Sequence, residues 1–385
     1  MITDLKNVRV IFVSSIIPPE HSGAGKRIYE YYKYLNKKGT DVSLITRTIN
    51  CEEDSKIISI KSIRTVGLFK KASIIIDFVY TLIQFLLKWN KFDDKKYDIN
   101  IVWLTSANTL TFVSSIFFYL KGFKIITQNT LLGSDDFEFR YPGDFFGLKY
   151  RLKKLQYSLS VAITSISPAL HEMTKNYHSN SVLIPNPVDL KKFRNNIDIE
   201  ERRKKKVVLT VGSVSFRKGT DIVLKTYKEI QKIDPDVEFI LVGPTQNLDV
   251  LLEHLNIDHE ELKKTKIKFE GFCSNPVNYY LESSLFFLPS RREGFGTVFI
   301  EAMAAGLPVV GKELKGITED IFGKNNSTIL KTESPACYAE VIIDILNSKE
   351  KYRNESLNNL NKVKKYNKYG IYNKYNELLN SLTNK

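Results

Sequence analysis

The sequence predicts an α/β protein made of two similar units. Three observations lead there. Short apolar runs alternate with longer helical stretches almost throughout. The alternation restarts after a proline-bracketed break. And 385 residues are enough for two cores of roughly 100–200 residues each.

In the first half, Val8–Ser14, Asp41–Thr46, Ile99–Leu104, Phe123–Thr127, Val161–Thr164 and Ser181–Ile184 have the length and composition of buried strands. Helical stretches such as Lys26–Lys38, Leu110–Leu120 and Pro168–Tyr177 lie between them. Strands separated by helices of this size imply parallel pairing with crossover helices. The break is Pro185-Asn186-Pro187-Val188-Asp189, followed by a charged stretch, Asp198–Lys206. It reads as an interdomain connection, with Arg202–Lys206 as its solvated face. Strands then resume at Val207–Val211, Val237–Val242, Ile267–Phe269, Leu285–Leu288 and Pro308–Gly311, with helices at Thr220–Ile233, Pro276–Glu282 and Thr297–Ala305. The expected domains are 1–190 and 191–350, followed by a basic helical segment, 351–385. Parallel sheets bind ligands beyond the carboxyl ends of their strands, so two such domains facing each other predict a cleft.

Composition narrows the class. With 43% hydrophobic and 26% charged residues, the chain reads as globular rather than disordered. Met1–Ser15 lacks a signal-peptide pattern, and no apolar run reaches the roughly 18–20 residues of a spanning helix. Cys51, Cys273 and Cys337 are too scattered for a disulfide framework or a zinc site. A cytoplasmic protein is expected. A net charge of +14 favours an anionic partner. No helix-turn-helix, RNA-binding or zinc-finger pattern is present, so nucleic acid is set aside in favour of a polyphosphate ligand or anionic lipid.

The strongest motif runs from Arg292 to Val310, beginning Arg-Glu-Gly-Phe-Gly-Thr-Val-Phe-Ile-Glu. It reads as a glycine-bearing turn after a strand, then a helix from Thr297. Gly294 and Gly296 permit close backbone approach, and the helix N-terminus offers N–H groups to phosphate oxygens. Glu293 precedes the helix and Glu301 lies within it; carboxylates there can accept hydrogen bonds from sugar hydroxyls. This string resembles the Glu-X7-Glu signature of the retaining glycosyltransferases of family four, which have the GT-B fold of two Rossmann-like domains. The resemblance implies that Glu293 contacts the transferred sugar, Glu301 the ribose, and the amides of Phe295, Gly296, Thr297 and Val298 the diphosphate.

Further segments carry the resemblance. Val211–Asp221 is similar to the family's Gly-Arg…Lys-Gly segment, whose two cations neutralise the donor diphosphate. Lys218 holds the lysine position, Ser213 replaces the arginine, and Arg217 is a candidate for the second charge from a shifted position. Lys218 and Glu293 are the catalytic candidates. Pro18–Arg27 is similar to the glycine loop that closes over the donor, with Gly23 and Gly25 as its glycines and His21 within it. Gly271-Phe272 occupies the base-binding position. Pro185–Asp189 is similar to the Asn-Gly-Val-Asp segment that ends the family's first domain, with proline for glycine. In the family, the final helical segment crosses back onto the first domain.

One departure concerns the acceptor side. The family commonly has a histidine after the strand at Phe123–Thr127; here Gln128 and Asn129 stand there. These can donate hydrogen bonds but cannot act as a base near neutral pH. A retaining front-face reaction tolerates this, since the leaving phosphate can take the acceptor proton. Asp93-Asp94 and Asp135-Asp136 read as surface pairs, so no metal site is expected, and fixed cations take a metal's place at the diphosphate.

The resemblance thus implies transfer of a sugar from a nucleotide sugar, a UDP-sugar ahead of a GDP-sugar, with no other cofactor. The acceptor would be a glycan or lipid-linked glycan in bacterial surface polysaccharide synthesis. Leu68–Trp89, apolar on most faces with cationic and aromatic flanks, reads either as a core helix or as one lying on an anionic membrane. The basic segment Lys149–Lys154 suits a peripheral location on the inner membrane face. Two alternatives stay open. One is a glycosyl phosphorylase or hydrolase on the same fold. The other is a non-catalytic GT-B accessory subunit, suggested by Ser213 and the missing histidine.

Overall fold

The computed structural model describes residues 7–18, 20, 23–48, 54–62, 73–92, 97–130, 147–193 and 198–383. His21, Cys51, the two acidic pairs and residues 68–72 lie outside these. The chain divides into two units, 1–186 with 371–385, and 187–370.

The first unit holds a parallel sheet of β1 (Val8–Val13), β2 (Asp41–Thr46), β3 (Ile57–Ser59), β4 (Ile99–Thr105), β5 (Lys124–Asn129), β6 (Ser160–Ser165) and β7 (Ser181–Leu183), in the order β3-β2-β1-β4-β5-β6-β7. Side chains alternate across β1. Val8, Val10 and Phe12 join the core on one side, Ile11 and Val13 that on the other, so every β1 residue is buried. The first side is closed by the helix Gly23–Lys37 and by Ile371, Tyr372, Tyr375, Leu378, Leu379 and Leu382 of the last helix, Lys368–Thr383. Tyr31 lies about 5 Å, ring to ring, from both Tyr372 and Tyr375 and meets Trp103 edge-on. The second side is filled by Phe85, Phe92, Phe117 and Phe118.

The second unit holds β8 (Val207–Val211), β9 (Glu238–Val242), β10 (Ile267–Gly271), β11 (Leu285–Leu288), β12 (Val309–Lys312) and β13 (Ile329–Leu330), in the order β10-β9-β8-β11-β12-β13. All pairings are parallel. The strand order reverses between β8 and β11, which lie side by side with Leu285 opposite Val208. The carboxyl ends of these two strands are where an open α/β sheet places its ligand loops.

One expectation is corrected in part. In the Arg202–Lys206 run, read as a solvated linker face, Lys204 and Lys205 are exposed but the other three are not. Residues Ile199–Lys204 form a helix, and Arg202, 4% exposed, donates to the Ala305 carbonyl at 2.5 Å. Arg203 reaches the Leu346 carbonyl at 2.7 Å and Lys206 pairs with Asp234 at 2.6 Å. A buried arginine is retained because carbonyls at the ends of neighbouring elements accept its protons. The segment 351–385 is helical but not one piece: the helix Lys349–Lys362 belongs to the second unit, and residues from Ile371 onward to the first. Val188 donates to the Tyr366 carbonyl at 3.0 Å and accepts from Lys368 at 2.9 Å, so the two points near which the chain changes units run side by side.

Candidate active site

Lys218 and Glu293 come from the loops that follow β8 and β11, on either side of the reversal in strand order. Lys218 Nζ lies 2.7 Å from Glu293 Oε1. Both residues are buried. Ser290 Oγ donates to the same carboxylate oxygen at 2.8 Å, and an Arg217 guanidinium nitrogen stands 4.0 Å from Oε2. A single carboxylate therefore faces two cations and a hydroxyl.

Glycines make this approach possible. Gly219 has φ +72°, and a Cβ there would lie 2.2 Å from the Pro289 carbonyl oxygen, so the turn carrying Lys218 abuts the loop carrying Glu293 backbone to backbone. The same contact is tied by Arg291. Its amide donates to the Arg217 carbonyl at 2.8 Å and its guanidinium to the Phe216 carbonyl at 2.7 Å. That guanidinium also forks onto Asp221 at 2.7 and 2.8 Å and reaches Glu333 at 2.7 Å. The Asp221 hydrogen bonds push the Arg291 pKa up, and Arg291, then Lys312, hold the Glu333 carboxyl below its usual range.

The helix Thr297–Ala304 begins four residues after Glu293 with Gly296 at its N-cap, φ +81°. A glycine at the N-cap supplies no side-chain cap, and the positive end of the helix favours an anion there. Phe295 does not point outward. It is buried and packs edge-on against Tyr366 at 5.6 Å, so only its amide serves the loop. Glu301 sits one turn on, half-buried, with Tyr280 donating to Oε2 at 2.9 Å. Burial first, then Glu301, raise the Tyr280 pKa, so the phenol keeps its proton and remains a donor.

The sequence-nominated residues fall into two groups. Ser213, Arg217, Lys218, Glu293, Phe295, Gly296, Thr297, Val298 and Glu301 lie on the loops after β8 and β11 and on the helix that follows. Ser213 is half-buried and brings no cation. Phe272 follows β10, at the sheet edge, and is 47% exposed. Gly23, Gly25, Gln128 and Asn129 belong to the first unit. Gly25 has a clear structural demand: a Cβ there would fall 1.7 Å from the Ile16 carbonyl oxygen, so its glycine lets the helix Gly23–Lys37 close on the loop after β1. Asn129 does not present its amide to an acceptor. It is 1% exposed, donates to Thr174 at 3.0 Å and accepts from Tyr157 at 2.7 Å. Gln128 is buried beside Tyr375, to which it donates at 3.4 Å. Among the described residues, no three His, Cys, Asp or Glu side chains group as a metal site.

Sequence reasoning passed over Ser290 and Tyr280 and gave Arg291 no task. Tyr280 lies in an ordinary helical stretch with nothing to mark it, and the carboxylate partners of Arg291 are 70 and 42 residues away in the chain.

Residues 191–362 match the family model described as glycosyl transferases group 1. This part of the chain is similar to that family, and the matched region contains Lys218, Glu293 and Glu301 together. Spore coat protein SA of Bacillus subtilis is 32% identical over 209 residues, 49% of this chain and 53% of that protein. The lipopolysaccharide core biosynthesis mannosyltransferase LpsB of Rhizobium meliloti is 26% identical over 197 residues, covering 47% and 54%. The chain spans about half the length of the curated relatives it matches. Among solved structures, Anabaena HepE in complex with UDP and glucose aligns over 97% of this chain and 99% of its own, at 16% identity and a TM-score of 0.73. The fold is GT-B.

Proposed function

We propose that the protein is a retaining glycosyltransferase using a nucleotide-sugar donor, a UDP-sugar ahead of a GDP-sugar, and a glycan or lipid-linked glycan acceptor of surface polysaccharide synthesis. The observation that carries this reading is the buried Lys218–Glu293 pair on the loops that lead to the glycine-capped helix Thr297–Ala304. A fixed cation and a helix N-terminus suit a diphosphate without a metal. The donor preference draws on HepE, solved with UDP, and the pathway on relatives such as LpsB.

In this reading the diphosphate lies over the amides of residues 295–298 and takes the Lys218 ammonium, with Arg217 as the second cation. Glu293, held by Ser290, accepts from a hydroxyl of the transferred sugar. Glu301, oriented by Tyr280, accepts from the ribose, and Phe272 lies toward the base. The acceptor hydroxyl attacks the anomeric carbon from the face that the diphosphate leaves. The bond from that carbon to the diphosphate oxygen breaks, the new glycosidic bond forms, and the departing oxygen takes the acceptor proton. Lys218 and the helix N-terminus stabilise the charge on that oxygen as it develops. No side-chain base is required, in keeping with Gln128 and Asn129 at the histidine position.

The test is thermal unfolding of the full chain against UDP, GDP, ADP, CMP and dTDP. A ligand of the folded state at 100 times its dissociation constant adds about 2.7 kcal/mol. Stabilisation by UDP, lost in Lys218→Ala and Glu301→Ala, is expected. No stabilisation by any of the five overturns the donor site.

A further inference from the structure

The helix Ser73–Leu87 is patterned the wrong way round for a surface helix. A helix against a core normally turns apolar residues inward and charged ones outward. Here the charge is inside. Asp77 is buried, takes two hydrogen bonds from the Arg47 guanidinium at 2.8 Å each and accepts a third from Ser62 at 3.1 Å. Thr81 accepts from the same arginine at 3.1 Å, and Gln84 is tied both ways to the Lys61 backbone at 2.9 Å. Phe85 completes the inward face, 4.9 Å ring to ring from Phe117.

The outward face is Ile75, Val79, Ile83, Leu86 and Leu87, all exposed, Leu87 by 81%. At 100° per residue these five span about 120° of the helix, and no charged residue interrupts them. The sequence left two readings of this stretch open, core helix or membrane helix; one face packs on the core and the other is exposed. Trp89, two residues past the helix, is edge-on to Phe117 at 5.2 Å and under the Lys121 ammonium at 4.0 Å. Lys88 and Lys91 flank the same end. A dry stripe bordered by an indole and lysines, on a chain of net charge +14, matches a bilayer with anionic headgroups. The basic segment 149–154 is a poorer candidate, because Lys153 is buried.

We propose that the helix Ser73–Leu87 lies on an anionic lipid surface, with Ile75, Val79, Ile83, Leu86 and Leu87 entering the acyl boundary and Lys88, Lys91 and Lys121 at the headgroups. No residue of the nucleotide loops takes part, so this docking stands or falls apart from the donor-site reading. Among the described residues no helix is long and apolar enough to cross a membrane, and contact along one face needs none.

The test is flotation of the full chain with vesicles of phosphatidylcholine alone or mixed with phosphatidylglycerol. Binding to the mixed vesicles is expected, weakened but not abolished by high salt. The variant Val79→Ser/Ile83→Ser, whose sites are exposed, should unfold at the same temperature and bind about tenfold more weakly or less still. UDP stabilisation, measured on the same samples, should be unchanged. Three results overturn the proposal: a wild-type chain that floats with neither vesicle, a double variant that floats as the wild type does, or a wild-type dimer that the double variant dissociates, which would put a second copy on the stripe.

Discussion

Replacing Lys218 with methionine keeps the stem that runs over Gly212 and removes the ammonium from Glu293. The side chains of the pair are only 11% and 9% exposed. Deleting one partner of a buried pair costs about 3–5 kcal/mol, chiefly by stranding the other charge. Two neighbours soften the loss here: the Ser290 hydroxyl at 2.8 Å and the Arg217 guanidinium at 4.0 Å both remain with the carboxylate. A cost of about 2–3 kcal/mol is expected, a drop of about 4–12 °C in melting temperature for a unit of this size. Glu293→Gln strands the lysine and should cost a similar amount. The double variant Lys218→Met/Glu293→Gln should fall short of the sum by about 1–2 kcal/mol. Unfolding of the four proteins measures that coupling. Repeating the set with saturating UDP should shrink it, because the diphosphate then occupies the ammonium in place of Glu293. Additivity within about 0.5 kcal/mol without ligand would refute the claim that the two residues act as a pair.

Other expectations concern the surrounding loops. Arg291→Ala removes the fork onto Asp221 and the bond to Glu333, and should destabilise by about 2 kcal/mol while weakening UDP binding; both are readable from melts with and without nucleotide. Gly296→Ala meets a left-handed backbone and a Cβ 2.7 Å from the Phe299 ring, so it should cost about 1–3 kcal/mol and much of the UDP shift. Glu333, whose pKa the fold lowers, stabilises fully above its unfolded pKa of about 4.3 and loses that contribution as pH falls through the lower folded value. Urea midpoints taken from pH 6 to pH 3 should therefore decline more steeply in the wild type than in Glu333→Gln.

The central strands were legible because both of their faces are covered, so each is an apolar run; Asp41–Thr46, Val207–Val211 and Leu285–Leu288 match the structure residue for residue. The strands that escaped notice are β3 and β13, three and two residues long, too short to carry a pattern. In the site, the Glu293–Glu301 string stood out because glycine, helix start and carboxylates are contiguous in the chain. Its supports did not. Tyr280, Asp221 and Glu333 act through contacts that only the folding of separate segments creates, and Ser290, although three residues from Glu293, carries no pattern that marks it. The same limit explains Arg202, whose run of charges read as solvent-facing although its partner is the carbonyl of Ala305, 103 residues away. Asn129 was expected just after a strand and instead ends it, with its amide bonded to Thr174 and Tyr157, contacts made across the fold that no local pattern announces.

The return of the last helix to the first unit sets an order of events during synthesis. The second unit is one unbroken stretch of chain, 187–370, and has all its residues before the first unit does. The first half emerges earlier yet stays unfinished, because Tyr31, Tyr32 and Trp103 await Tyr372, Tyr375 and Leu379. Until residues 371–385 leave the ribosome, one side of its sheet remains an open aromatic surface, the kind that chaperones cover and neighbouring chains stick to. A polypeptide that stalls or is clipped before residue 371 would thus carry an intact second unit joined to an incomplete first one, and quality control would recognise it by those uncovered rings.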